Sequence, residues 1–260
     1  MGGSVSALEL AMQTEASAQP DAASASCVWR YCRRSDGIEQ AIWSGNFSLP
    51  LSCHFHPETQ ITTVLVGRRR FLTANGPVTV NAGETLIVPP GLPHQALGID
   101  DDRTLSLNLY LHHPADALRR DSIVVPTPRW FGTDMAANDL VLGDWAQTAL
   151  MHSAECGFER TAEAIASMPP GDHLSISAVA SMRSMSREGF TRWFRRNVGM
   201  TPHAYRVARR LNRTRALLAT GTAPAAAAAE AGFADQSHMG RHFRLAFGVT
   251  PGTYRCAVRR

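Results

Sequence analysis

The chain has 260 residues, 44% hydrophobic and 18% charged, enough to bury a core in two ordinary domains or one large one and too apolar for wholesale disorder. No apolar run reaches the roughly 18 residues that span a bilayer, which argues against a helical membrane protein. The formal net charge of +4 hides a split: residues 172–260 carry 15 Arg against four acids, and residues 1–171 carry 11 Arg against 18 acids.

Lysine is absent, so all 26 cationic residues are Arg and every basic contact is a guanidinium contact. The first 25 residues are rich in Ala, Ser and Gln, hold Glu9, Glu15 and Asp21, and have no Arg. That composition predicts a disordered segment over 1–26 and lacks the basic start of a secretory signal. The five cysteines (27, 32, 53, 156 and 256) are odd in number and form no CxxC, which fits a reducing, cytoplasmic setting.

From 27 to 113 the pattern is β. Runs at 61–66, 78–80, 86–88 and 105–111 are short and mostly rich in β-branched residues. Turn residues separate them, as at Asn75-Gly76-Pro77 and Pro89-Pro90-Gly91. This spacing predicts a sandwich or barrel. Residues 114–133, with Pro114, Pro126 and Pro128, read as an irregular connection. Helices follow at about 138–150 and 158–168, and Leu140, Val141, Trp145, Ala149 and His152 form a rough stripe on the first. Pro169-Pro170-Gly171 marks a boundary, and everything beyond reads as helix.

The C-terminal third repeats itself at a shift of 49 residues. Arg192, Phe194, Arg195 and Gly199 fall on Arg241, Phe243, Arg244 and Gly248, and Thr201-Pro202 and Tyr205 fall on Thr250-Pro251 and Tyr254. Ser186 falls on Asp235, and both are good N-cap residues. Each copy predicts a short helix (176–182; 224–231), a tight turn and a second helix (187–197; 236–246), which is a helix-turn-helix in duplicate.

In the first copy Phe190, Trp193 and Phe194 make an apolar back, and in the second Met239, Phe243 and Phe247 do so. The fronts are polar: Arg187, Glu188, Thr191, Arg192 and Arg195 in one, Gln236, Ser237, His238, Arg241 and Arg244 in the other. A helix that reads the major groove needs such a back and such a front. Arg pairs bidentately with guanine and Gln with adenine. Between the units a long helix over about 203–219 buries Tyr205, Ala208, Leu211 and Leu218, with Arg206, Arg209, Arg210, Arg213 and Arg215 on the rest.

The segment 231–254 and its first copy at 194–202 resemble the DNA-binding domain of the AraC/XylS family of bacterial transcription regulators. The resemblance covers 173–255 and implies two helix-turn-helix units, joined by a linker helix, that read adjacent major grooves. Met239 stands where that family usually has Phe, Gly240 where it has Ser or Thr, and Arg183-Ser184 occupy a turn that often holds Gly.

Two segments of the β region resemble the paired motifs of the cupin barrel: His54-Phe-His56-Pro-Glu-Thr-Gln60, and Gly83 with Pro89-Pro-Gly91 and His94. In metal-bearing cupins His-x-His, a carboxylate and a later His hold one divalent ion. Imidazole-rich sites suit Zn, Fe, Ni or Cu. Here Gln60 stands at the carboxylate position, and the favoured reading makes His54, His56, Gln60 and His94 an effector-binding pocket. The same four residues as metal ligands are the alternative, as a metal sensor or an oxygenase-type enzyme. Cys53 and the run Arg68-Arg69-Arg70, read as a hairpin turn, flank the cluster.

The expected fold is therefore α+β in two domains: an N-terminal cupin-like β-barrel over 27–113 and a C-terminal all-α double helix-turn-helix over 171–260. A linker and helical region over 114–170 joins them, and the resemblance gives it a role in dimerisation. The expected function is a cytoplasmic, non-enzymatic, sequence-specific transcription regulator. Its expected partners are promoter DNA, a small-molecule effector, RNA polymerase and a second copy of the chain. No cofactor is required beyond the divalent transition metal of the alternative reading.

Overall fold

The computed structural model describes residues 28–34, 37–48, 50–73, 76–112, 122–128, 139–151, 158–169 and 172–259. The expected disordered segment 1–26 and most of 113–138 lie outside the described residues.

Among the described residues the N-terminal part has nine strands: β1 (Val28–Arg33), β2 (Glu39–Ser48), β3 (Thr59–Val66), β4 (Arg68–Thr73), β5 (Gly76–Asn81), β6 (Glu84–Val88), β7 (Gln95–Ala96), β8 (Ile99–Leu111) and β9 (Ile123–Pro126). They form a six-stranded sheet in the order β1-β2-β8-β3-β6-β9 and a three-stranded sheet in the order β5-β4-β7, with every pairing antiparallel. This is the expected cupin-like pair of sheets. Residues read as an irregular connection include a strand, since β9 pairs with β6 at the edge of the large sheet.

Gly67, at φ 71°, turns β3 into β4, and a Cβ there would meet Thr104 Oγ1 at 2.6 Å. The Arg run, read as a hairpin turn and its exit, is the exit alone: all three residues lie in β4. Arg69 has the parity of Phe71, so it points inward and lies over the Trp43 ring at 4.3 Å.

Helix α1 (Asp139–Met151) buries Leu142, Ala146 and Leu150, one per turn, against Ile61, Ile87, Leu107 and Leu109 of its own barrel. That corrects the expected stripe. Val141 is 47% exposed, Trp145 and Ala149 only flank the contact, and the Leu140 side chain and His152 lie outside the described residues. Helix α2 (Phe158–Ala166) turns the other way. Ala164, with Met168 beyond the helix end, joins the core of the first helix-turn-helix unit around Phe190 and Phe194.

The C-terminal part contains α3 (Ile176–Met182), α4 (Arg187–Val198), α5 (Pro202–Ala219), α6 (Pro224–Glu230), α7 (Gln236–Phe247) and α8 (Pro251–Val258). Both expected caps are made: Ser186 Oγ accepts from Gly189 N at 3.0 Å, and Asp235 Oδ1 accepts from His238 N at 2.7 Å. Gly199 and Gly248 end α4 and α7 in the left-handed conformation. In the first turn Ser184 takes φ 53°, the one positive φ outside glycine among the described residues.

The two parts share cores. Tyr31, Ala41 and Tyr110 of the barrel lie in one apolar cluster with Phe243, Phe247 and Tyr254. Phe55 stacks on Tyr205 at 5.2 Å between ring centroids.

Candidate functional site

The reading faces follow from the helix period. In α4 Phe190 and Phe194 are fully buried, and Arg187, Glu188, Arg192 and Arg195 are exposed. Thr191 is half-buried, and its hydroxyl donates to Arg187 O at 2.8 Å. In α7 Met239, Phe243 and Phe247 are buried, while Gln236, Ser237, Arg241 and Arg244 are exposed. His238 is half-buried and its Nε2 lies 3.0 Å from that of His242, so the two rings share one hydrogen bond. All ten sequence-predicted contact residues thus sit on the polar sides of two helices with buried backs, as groove readers require.

The cupin cluster also assembles, though not on a strand. His54 makes only an isolated bridge to His94, and the chain beyond it is extended. Alternation still operates: His54 and His56 point into the barrel, and Phe55 between them points into the C-terminal core. The Pro89-Pro90-Gly91 turn fixes this edge, with Gly91 N donating to His56 O at 2.7 Å. The donor atoms of His54, His56 and His94 lie within 4.8 Å of one another.

Hydrogen bonds set the tautomers. His54 Nδ1–H donates to Ser52 O at 2.8 Å and His94 Nδ1–H to Leu92 O at 3.0 Å, leaving both Nε2 atoms as lone pairs. Thr62 donates to Asn108 Oδ1 at 2.7 Å and accepts from Gln60 Nε2 at 2.9 Å. That chain turns Gln60 Oε1 toward His94 Nε2, 2.9 Å away, so two acceptors face each other with no proton between them. Burial, then the neighbouring His94, depresses the His54 pKa to about 3, and burial depresses that of His94 to about 4. His56 is held well below the ordinary value by burial and then by Arg215. The imidazoles are therefore neutral at pH 7.

Neutral imidazoles with their far nitrogens tied to carbonyls match the way metal-ligating histidines are oriented. A 2.9 Å separation is one that two ligands of the same ion span at metal–donor distances near 2.1 Å. The residue types present fit a divalent transition metal, with Gln60 and His94 already at ligand spacing, His54 nearby and His56 engaged elsewhere. Beside them lies a cavity of about 20 Å³, bordered by His54, Gln60, Arg69, His94 and Phe247. That volume admits one water or one ion. Burial pushes the Cys53 thiol up to about 11, which keeps it protonated and a poor nucleophile.

The residue that sequence reasoning missed is Arg215. It was assigned to the polar side of α5 but is only 4% exposed at its side chain. It leaves the C-terminal domain and enters the barrel mouth. Its Nη2 meets Glu39 at 2.6 Å, and its Nη1 donates to Glu58 at 3.3 Å and to His56 Nδ1 at 2.9 Å. Tyr110, Phe247 and Tyr254 surround the guanidinium at 5.0–5.9 Å. Burial works against its charge, but Glu39 foremost, with Tyr254, Glu58 and Tyr110, more than offsets this and holds the pKa well above the ordinary value. Tyr254 donates to the other oxygen of Glu39 at 2.5 Å, and Tyr31 donates to Phe247 O at 2.9 Å. Arg206 is also buried, beside Asp172, and leaves the exposed set.

These features define a two-domain protein with a paired helix-turn-helix module docked on a cupin-like barrel. A family model described as a helix-turn-helix domain matches residues 179–257, and one described as an AraC-like ligand binding domain matches 51–125. The chain is thus similar to AraC-type transcription regulators in two separate regions, a helix-turn-helix one and a ligand-binding one.

Among curated proteins it is 36% identical over 91 residues to the RCS-specific HTH-type transcriptional activator RclR of Escherichia coli, a match spanning 35% of this chain and 32% of that protein. It is 33% identical over 87 residues to the HTH-type transcriptional regulator MtrA of Neisseria gonorrhoeae, spanning 33% of this chain and 29% of that one. The matches thus span about a third of each relative. Among solved structures, unsaturated fatty acid bound ToxT from Vibrio cholerae aligns with a TM-score of 0.56 at 12% identity, over 85% of this chain and 95% of that one, which shows a shared two-domain fold. No described helix is long and apolar enough to cross a membrane.

Proposed function

We propose that the chain is a cytoplasmic, sequence-specific transcription regulator, without enzymatic activity, that binds promoter DNA through α4 and α7. The observation that carries this reading is the duplicated helix with a buried aromatic back and an exposed Arg-bearing front, at Arg192 and Arg195 and again at Arg241 and Arg244. Two readers on one duplex face sit about 34 Å apart, one helical turn. The protein acts as a homodimer that engages RNA polymerase, as the family resemblance implies. Gel shifts with the full chain test the DNA reading. Arg192→Glu and Arg241→Glu each weaken binding at least tenfold; unchanged shifts for both would overturn the assigned docking.

The cupin domain is the sensor, and its His54, His56, Gln60 and His94 cluster is the site. The face-to-face acceptors of Gln60 and His94 and the small cavity favour a divalent transition metal there. An organic effector finds room instead in a groove of about 440 Å³ bordered by Phe55, Pro57, Arg209 and Arg213. Elemental analysis of untagged protein separates the two: near one equivalent of metal, lost on His54→Ala/His94→Ala, supports the first, and its absence supports the groove.

A further inference from the structure

We propose that Arg215 is a built-in competitor of the metal: His56 serves either the metal site or the latch between the domains, so metal loading withdraws α5 and the end of α7 from the barrel. This rests on the metal reading of the histidine cluster and adds to it the means by which occupancy reaches the DNA-binding domain.

His56 Nδ1 accepts from Arg215 Nη1 at 2.9 Å, so its one proton sits on Nε2. That Nε2 is buried and makes no full hydrogen bond, its one polar contact being the weak influence of the Gln60 side chain. For Nε2 to ligate, the proton must move to Nδ1, where it would face the Arg215 N–H, donor against donor. For Nδ1 to ligate, the metal must take the place Arg215 occupies. Either way the guanidinium leaves, and a dication beside it adds like-charge repulsion. His54 and His94 need no such change, because each carries its proton on Nδ1 and leaves Nε2 free to ligate.

The consequences reach the reading helix through shared contacts. Glu39 joins Arg215 and Tyr254, so a withdrawn guanidinium leaves a buried carboxylate held only by Tyr254. Phe247, the last residue of α7, packs on His54, His56 and Arg215 at once. Ser52 N donates to Leu245 O at 2.8 Å, fastening the same end of α7 to the segment that carries His54. A ligand that binds one state better shifts the balance by that difference in affinity, and the coupling is reciprocal.

The test titrates the full chain with Co²⁺, read by visible absorption and calorimetry, with small-angle scattering at each end point. Arg215→Met/Glu39→Gln removes the latch while leaving no unpaired charge at position 39, so it is destabilised less than Arg215→Met alone. The proposal expects this double variant to bind Co²⁺ at least tenfold tighter than wild type. It expects wild type to expand on loading and His54→Ala to do neither. Equal affinity in wild type and the double variant, or loading without expansion, would overturn the competition. No Co²⁺ binding by either would overturn the metal reading, while gel shifts on the same preparations report separately on the regulator reading.

Discussion

Substitution of Arg215 by Met probes the latch as a matter of stability. The long apolar stem is kept and the charge is lost. Glu39, 8% exposed at its side chain, then lies buried with only the Tyr254 hydroxyl as donor. Removing one partner of a buried pair costs about 3–5 kcal/mol, because the remaining charge stays desolvated. Adding Glu39→Gln removes that stranded charge, so the double variant regains about 2–3 kcal/mol of the loss, a coupling within the range seen for residues in direct contact. Urea unfolding followed by both tryptophan fluorescence and circular dichroism measures it. A loss under about 1 kcal/mol for Arg215→Met, or a further loss on adding Glu39→Gln, would refute the claim that the pair holds the domains together.

Gly199 and Gly248 are equivalent C-caps in different surroundings. A Cβ at Gly248 falls 2.2 Å from the Trp29 ring, while one at Gly199 finds only Pro93 at 3.9 Å. Gly248→Ala is therefore more destabilising than Gly199→Ala, whose cost is the left-handed backbone alone, about 1–2 kcal/mol; equal melting shifts would contradict this. Ser184→Gly relieves the same strain in the first turn and raises stability by up to about 1 kcal/mol in denaturant titration. The metal-free protein loses stability in acid. His54 and His94 titrate at about 3 and 4 when folded, against about 6.5 when unfolded, so the unfolded chain binds more protons between those values. Stability is full above pH 6.5 and falls as pH drops through that window, and a flat profile in urea from pH 7 to 4 would contradict the burial argument.

The C-terminal fold was legible because a repeat carries its own control: two copies place the same caps, aromatic backs and glycines in the same order. The cupin cluster was legible from the spacing of His54, His56 and His94, since alternation survives in an extended segment even without a ladder. The β1–β2 pair escaped because β2 opens with two polar residues, Glu39 facing Arg215 of the second domain and Gln40 on the other face donating to Cys32 Sγ, so its strand reads as polar. Arg69 carried a signal in its parity with Phe71. Arg215 carried one too, four residues after Leu211 and three before Leu218 on the buried stripe. Its partners Glu39 and Glu58 lie 176 and 157 residues away, so charge pairing across the domains had no local trace.

The organic-effector reading of the barrel rested on residue type, and the geometry shifts it. Phe247 borders the small cavity beside these side chains, and Arg215 is bonded to His56 at its edge. What remains is a cluster of converging lone pairs with room for an ion, set against a cation supplied by the other domain.

The central claim is that two helices read DNA in sequence. Full-length protein should be used to select from a random duplex library, followed by sequencing and repetition with Arg241→Glu. The account predicts a motif of two elements centred about one helical turn, 10–10.5 base pairs, apart, with the variant losing one element and keeping the other. Enrichment of no motif, or of one that both proteins select alike, would contradict it.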